Sequence, residues 1–541
     1  MRTITGSGAL AFGALRAGVQ FVTGYPGSPS TDTLEELLRL APPDVLVEWA
    51  INEKSAFDAA FGASLAGVRS LLCLKSVGLN VALDSLMVSN LAGGTGGFVI
   101  LTGDDPGGWG SQNEEDSRLL AVAAEVPLLE PTSAREATPA MHQAFELSER
   151  FQVPVVVRIT RALAADSTAE PPPIDSAPPL PAAFPRFPDR YNVLPIHVVD
   201  LHRRLQSTLE QVRTEFERSG LNGQEGQGSQ GVLAAGHAFH KLTHVLAHSG
   251  GPPLRILRLG TLFPLPERQI VDFLRQVDRI LVIEEQAPYV EYQIQAIAQR
   301  AGLGLSICGR SNGDLPGSGE LLAPHIIRAL AHLLPAWPWV PLKQADRVMP
   351  SRQPLCDDCP YRPTFDALLA VMERHGGREA FIVTGETGCM VRGQLPPWEI
   401  LDVKYAMGSS IGLGAGLARA GLPQRVVALS GDSALLHSGL GELIDAVQAG
   451  VRLLVVVLAN ETTALSGCQP HPATDRDARG RTRRPVDLDA LIRAAGADAV
   501  QTVDPEDTPA TEAALEDGLA IEGVAVVITR RACPRWQCPT T

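Results

Sequence analysis

The chain has 541 residues, too many for one hydrophobic core, and its 45% hydrophobic and 20% charged residues fit a soluble globular protein of several domains. A formal net charge of −14 argues against nucleic acid or an anionic membrane as the main partner. No apolar run reaches bilayer-spanning length, the start MRTITGSGALAFGAL lacks a basic region ahead of its apolar residues, and the 8 cysteines are scattered, which together predict a cytoplasmic protein without a disulfide framework.

In chain order, a first α/β domain is expected over residues 1–165. Apolar runs at 19–22, 45–47, 71–74, 98–101 and 155–159 alternate there with helical patterns, which predicts a parallel sheet covered by helices on both faces. Residues 166–230 read as a Pro-rich linker, with Pro171-Pro172-Pro173 and the stretch 178–188, then one charged helix at 196–218 and a flexible Gly/Gln-rich loop at 221–230. A second α/β domain follows at 231–334, with strands at 232–235, 254–257 and 279–283. Residues 335–354 form another linker. A third domain fills 355–541, with strands at 380–383, 426–429, 453–458 and 523–528. The expected architecture is α/β, with three doubly wound parallel-sheet domains.

The third domain holds the most specific pattern. An apolar strand delivers Gly431-Asp432-Ser433, a helix follows with Leu440, Leu443, Ile444 and Val447 at helical spacing, and a second strand delivers Asn460-Glu461-Thr462. Adjacent parallel strands end on one sheet edge, where Asp432 and Asn460 can meet. A carboxylate, an amide oxygen and a carbonyl are hard ligands suited to Mg²⁺ on a diphosphate. The same pattern also describes an ordinary strand, turn and capped helix.

Other segments offer parts of a cofactor site. Glu53 stands where a strand gives way to a small-residue helix, so it suits a carboxyl that protonates a ring nitrogen, or simply a helix cap. The segment 24–31, GYPGSPST, joins a strand to a helix, and its amides and hydroxyls could hold a carboxylate or merely form a Pro-Gly turn. Met407-Gly408-Ser409-Ser410 precedes a small-residue helix and would let backbone approach a ligand. Gly412-Leu413-Gly414-Ala415-Gly416 has the wrong spacing for NAD. Cys356 and Cys359 supply only two thiolates, and Cys533 with Cys538 are too sparse for a cubane, so no Fe–S cluster is expected in this chain.

In this order the motifs resemble the large (α) subunits of the indolepyruvate ferredoxin oxidoreductase family, within the 2-oxoacid:acceptor oxidoreductases. The matching stretches are GYPGSPS (24–30), EWAINEK (48–54), VGLNVA (77–82), DDPGGWGSQNEEDSR (104–118), CDDCPYR (356–362), GETGC (385–389), LPPW (395–398), MGSSIG (407–412), GDSALLHSG (431–439) and NETTALSGCQPHP (460–472). LGTLFPLPE (259–267) and VIEEQ (282–286) resemble the transketolase C-terminal-like domain of the same subunit. The resemblance implies thiamine diphosphate-binding folds at both ends of the chain, with the cofactor bridging the first and third domains of one chain or two.

It also implies oxidative decarboxylation of an aryl 2-oxoacid with coenzyme A, giving an acyl-CoA and electrons for ferredoxin. Glu53 would activate the pyrimidine. Asp432, Asn460 and the Thr462 carbonyl would bind Mg²⁺. Gly431, Ser433, Gly408 and Ser409 would lie against the cofactor, Ser28 would hold the substrate carboxylate, and His437 and His471 would serve as acid-base groups. A homodimer, a smaller β-like subunit and an external electron carrier are the implied partners. Where relatives often carry His, this chain has Ser76, Trp109 and Cys468, and it stops near Arg530 to Pro534, where a ferredoxin domain would begin. Trp109 and Trp398 could line an apolar pocket. The alternatives are a non-oxidative 2-oxoacid decarboxylase or carboligase, and a scaffold that has kept the fold without the cofactor.

Overall fold

The computed structural model describes residues 3–170, 181–342 and 353–537. Pro171-Pro172-Pro173, residues 343–352 of the second linker and Cys538 lie outside the described residues. The chain forms two compact units, Met1–Met349 and Pro350–Thr541. Among the described residues, no helix is long and apolar enough to cross a membrane.

In the first unit, a seven-stranded sheet runs in the order Thr261–Phe263, Leu128–Leu129, Val155–Thr160, Phe98–Asp104, Ser70–Lys75, Phe21–Gly24, Leu46–Trp49. All pairs are parallel except Thr261–Phe263 against Leu128–Leu129. Its central strands are buried on both faces, which is why they read as continuous Val/Ile/Leu runs rather than as alternation. The same unit holds a five-stranded sheet, ordered Ser306–Cys308, Arg279–Ile283, Gln230–Ala235, Leu254–Leu259, Gly223–Gly226.

The strands Leu128–Leu129, Ser306–Cys308, Val403–Lys404 and Ala499–Val503 were not expected from the sequence, and two further features depart from it. Residues 221–230 were expected as a loop, yet Gly223–Gly226 pairs antiparallel with Leu254–Leu259. Thr261–Phe263, in the second expected domain, adds a strand to the first sheet. Both strands are short and take their pairing from a neighbouring edge rather than from their own propensity. The charged helix is present as Pro195–Phe216, burying Leu201, Leu205, Leu209, Val212 and Phe216 along one stripe.

The second unit has a six-stranded parallel sheet in the order Val403–Lys404, Phe381–Gly385, Arg425–Gly431, Leu453–Ala459, Val524–Arg530, Ala499–Val503. Its core joins Phe365, Leu368, Val383, Val427, Val456, Leu515 and Val527. Because every strand runs the same way, the loops after Gly385, Gly431 and Ala459 leave by one edge, where polar side chains can gather.

Candidate functional site

In the second unit, Gly431 pairs with Leu458 across two adjacent strands, so the chain enters the Asp432 helix and the Asn460 loop side by side. Asp432 is 2% exposed. Its Oδ1 accepts from the Ser433 amide (2.8 Å) and its Oδ2 from the Glu461 amide (2.7 Å). Glu461 adopts φ 64°, a left-handed conformation that a glutamate rarely takes and that turns its N–H toward Asp432. The Asn460 Oδ1 accepts from the Thr462 amide (3.2 Å), and the Thr462 carbonyl accepts from Ala464 (2.9 Å). Ser433 Oγ meets Thr463 Oγ1 at 2.9 Å. Asp432, Ser433, Asn460 and Thr462 are all buried together in this corner. The donor set is hard oxygen, as Mg²⁺ prefers, and each oxygen keeps acceptor capacity beyond its single N–H.

His471 joins this corner rather than standing apart from it. Its Nε2 lies 3.3 Å from Asp432 Oδ2 without making a hydrogen bond. His437 sits in a π-helical turn, Leu435–Gly439, a widened geometry that interrupts the helix after Asp432. Its Nδ1 lies 2.9 Å from Ser438 Oγ, which donates to the Met407 carbonyl (3.0 Å). Gly408 adopts φ 82°, and a Cβ there would fall 2.2 Å from Ser438 Oγ. The backbone at 407–409 therefore approaches the His437 turn as only glycine allows. Ser409 Oγ is spent on the Ala406 carbonyl at 2.7 Å.

Sequence reasoning missed Glu386, which follows the strand Phe381–Gly385 as Asp432 follows Arg425–Gly431. Its Oε1 accepts from Ser430 Oγ (2.7 Å) and the Gly431 amide (3.1 Å), and its Oε2 from Ser410 Oγ (3.2 Å) and the Ser410 amide (3.4 Å). Full burial pushes this carboxyl up to about 7, against the pull of those hydrogen bonds. Glu386 thus ties the 408–410 turn to the strand that delivers Asp432. The signal was available: a carboxylate one residue past an apolar strand end on the same edge.

The cysteines also gather. Burial pushes Cys359 up to about 11 and Cys389 up to about 12, with Cys356 and Cys533 raising both and Cys359 also raising Cys389. A hydrogen bond shared with Cys468 holds the Cys533 thiol down at about 6. The Cys533 amide donates to the Asn460 carbonyl at 2.9 Å. The sequence spacing that made these thiols sparse counted only neighbours along the chain. Among the described residues, no three His, Cys, Asp or Glu side chains already converge in metal-ligand geometry.

In the first unit, Glu53 opens the helix Glu53–Leu65 behind its cap Asn52, whose side chain accepts from the Ser55 amide at 2.8 Å. Glu53 is 7% exposed, and a Cβ on Gly78 would fall 2.6 Å from its Cγ. Gly78 therefore leaves the space that the carboxylate stem fills. Ser28 is exposed in its turn, while Ser30 and Thr31 hold that turn closed by bonds to Gly27 of 2.7 Å each. Trp109 lines a cavity of about 270 Å³ with Arg161, Lys241 and Glu320, and its Nε1 donates to Glu320 at 2.8 Å. Trp398 is a packing residue: it is 7% exposed, sits against Phe365, and donates to Asp366 at 2.7 Å.

Parallel sheets with a buried acidic-amide corner and a separate buried helix-start glutamate define a thiamine diphosphate enzyme, and two family matches bear this out. "Thiamine pyrophosphate enzyme, C-terminal TPP binding domain" matches residues 386–529, and "Pyruvate flavodoxin/ferredoxin oxidoreductase, thiamine diP-bdg" matches residues 12–199. Indolepyruvate oxidoreductase subunit IorA of Pyrococcus abyssi is 34% identical over 99% of this chain and 86% of its own length. The same subunit of Methanothermobacter thermautotrophicus is 35% identical over 98% of this chain and 86% of its own. The chain belongs to this IorA family of thiamine diphosphate-dependent 2-oxoacid oxidoreductases. A solved 2-oxoglutarate:ferredoxin oxidoreductase from Magnetococcus marinus, with 2-oxoglutarate, coenzyme A and succinyl-CoA bound, gives a TM-score of 0.46 at 17% identity, covering 57% of this chain and 61% of that one.

Proposed function

We propose that this chain is the thiamine diphosphate-bearing subunit of an enzyme that oxidatively decarboxylates an arylpyruvate such as indolepyruvate to an acyl-CoA, with electrons leaving to a partner protein. The observation that carries the site assignment is the buried corner of Asp432, Asn460 and Thr462, strained at Glu461 to complete it. Thiamine diphosphate, when bound, supplies the electron sink for loss of carbon dioxide. The chain's own groups do the rest. Glu53 holds a proton against the pyrimidine nitrogen. Asp432, Asn460 and the Thr462 carbonyl hold Mg²⁺, and Gly431, Ser433, Gly408 and Ser409 admit the diphosphate. The Ser28 hydroxyl faces solvent, where it receives the substrate carboxylate. His437 moves a proton at the reacting carbon. The assembly is a homodimer joined by a smaller β-like subunit, in the cytoplasm.

The test is anaerobic turnover with thiamine diphosphate, Mg²⁺ and a panel of 2-oxoacids, with and without coenzyme A and a one-electron dye. Dye reduction tied to carbon dioxide release is the expected result. Carbon dioxide with free aldehyde and no dye reduction would mean a non-oxidative decarboxylase or carboligase. Absence of thiamine diphosphate binding would mean a scaffold.

The gathered thiols favour a second reading of the electron route. Cys356, Cys359, Cys389 and Cys533, which influence one another's ionisation, would supply the four thiolates that a cubane iron–sulfur cluster needs. Iron and acid-labile sulfide in anaerobically purified protein, lost in Cys359→Ser, would support it. Iron-free protein that still reduces the dye would place the first electron carrier on the partner.

A further inference from the structure

His471 precedes Pro472, which biases its backbone away from the helical region. Its carbonyl accepts from the Thr474 amide (2.9 Å), from Thr474 Oγ1 (2.7 Å) and from Arg483, and Pro472 accepts from Val486 (2.9 Å). These bonds fix the backbone that carries the ring. Nδ1 accepts from the Ala473 amide at 3.2 Å. A proton on Nδ1 would face that N–H, so the neutral ring carries its proton on Nε2. Nε2 is buried, makes no hydrogen bond, and lies 3.3 Å from Asp432 Oδ2. A buried N–H left unpaired costs free energy that a fold normally avoids, and such an exception marks a partner still to come.

With Nδ1 occupied and Nε2 protonated, the ring has no lone pair to give a metal and none to take a proton from a substrate. It has one N–H, aimed at the corner where Asp432 would hold Mg²⁺. We infer that His471 is a cofactor-positioning residue, whose Nε2–H donates to a diphosphate oxygen beside Asp432, rather than an acid-base group at the reacting carbon. The inference rests on the thiamine diphosphate reading of the corner and narrows it. It divides the two histidines singled out in the sequence: His437 faces the 407–409 turn, whereas His471 serves the anion.

The experiment is titration of the full chain with thiamine diphosphate, and separately with inorganic diphosphate, each in excess Mg²⁺, by calorimetry. His471→Ala and His471→Gln are compared with the unaltered chain. The glutamine amide can set an N–H where Nε2–H stood. His471→Ala is expected to weaken both ligands about tenfold, as loss of a hydrogen bond to a charged group does, and His471→Gln to recover most of that. The loss is expected in cofactor affinity, and the pH profile of turnover at saturating cofactor should keep both of its limbs in His471→Ala. Affinity unchanged in His471→Ala, with turnover and one limb of the pH profile lost, would make His471 an acid-base group and overturn the inference. Equal loss in both variants, with a lowered melting temperature before ligand is added, would make it merely structural. If the unaltered chain binds thiamine diphosphate but not inorganic diphosphate, and neither variant changes that affinity, the inference fails while the cofactor reading stands. If it binds neither, both fall.

Discussion

Two buried charged regions of this molecule are built on opposite terms. In the first unit, Arg118 and Arg158 are among the most deeply buried side chains, and each spends its guanidinium on several acceptors. Arg118 donates to Asp116 (2.6 and 2.9 Å), Glu284 (2.6 Å) and the carbonyls of Glu285 (2.5 Å) and Ala287 (2.9 Å). Arg158 donates to Asp104 (2.6 Å), Glu130 (2.5 Å) and Gln286. These bonds stitch the seven-stranded sheet to the segment 284–287 that follows the strand Arg279–Ile283. In the second unit, the corner at Asp432 holds an unbonded His471 Nε2 and a strained Glu461. The saturated guanidiniums make a structural lattice in which Asp104 Oδ1 is a spare acceptor on a carboxylate already bound through Oδ2, whereas at Asp432 the only N–H that the neutral His471 ring has to give is left without an acceptor.

Four outcomes would break or sharpen that contrast. The largest is expected at Glu53→Gln, which keeps shape and burial but removes the proton-holding carboxyl. Carbon dioxide release should fall about a thousandfold while unfolding stability moves by less than about 1 kcal/mol. Unchanged release would remove Glu53 from the chemistry. Arg158→Ala strands Asp104 and Glu130 in the core and should cost about 3–5 kcal/mol in denaturant unfolding. A loss below about 1 kcal/mol would mean that the lattice is not structural.

Glu386→Gln is intermediate. Whichever way the amide turns, its NH₂ meets a backbone N–H, of Gly431 or of Ser410, so about 1–3 kcal/mol of stability should be lost. The smallest effect is in pH. The folded carboxyl of Glu386 is raised above its ordinary 4.5 to about 7, so its contribution to stability is full below 4.5 and is lost as pH rises through about 7. The stability gap between the unaltered chain and Glu386→Gln should therefore be wider at pH 5 than at pH 8. A gap that widens with pH would reverse the assignment.

The central strands of all three large sheets were legible because double-sided burial writes continuous apolar runs, whereas several strands at or near the edges, such as Ala499–Val503 and Ser306–Cys308, were not. The nearness of Asp432 and Asn460 followed from the same logic, since parallel neighbours release their loops at one edge. What sequence could not give were contacts between residues far apart in the chain. Glu386 lies 45 residues before Gly431, and the Cys359 and Cys533 loops meet only after the sheet has formed. Gly223–Gly226 was unreadable for a different reason: glycine and glutamine carry little strand preference, and an exposed neighbouring edge supplied the pairing. For His471 the ring is legible in the sequence but its tautomer is not. That tautomer depends on the amide of Ala473.

The close fit of Gly78 against Glu53 gives a separate handle on the carboxylate. Charge and location are normally altered together when an acidic residue is mutated. Here a single methyl group added at position 78 would press on the Glu53 side chain, 2.6 Å from its Cγ and 2.8 Å from its Oε1, without removing the carboxyl. Gly78→Ala, and larger side chains after it, would act as a graded wedge, moving the Glu53 carboxyl by fractions of an ångström while its chemical identity stays the same. Turnover plotted against wedge size would measure how much of the catalytic effect is distance alone.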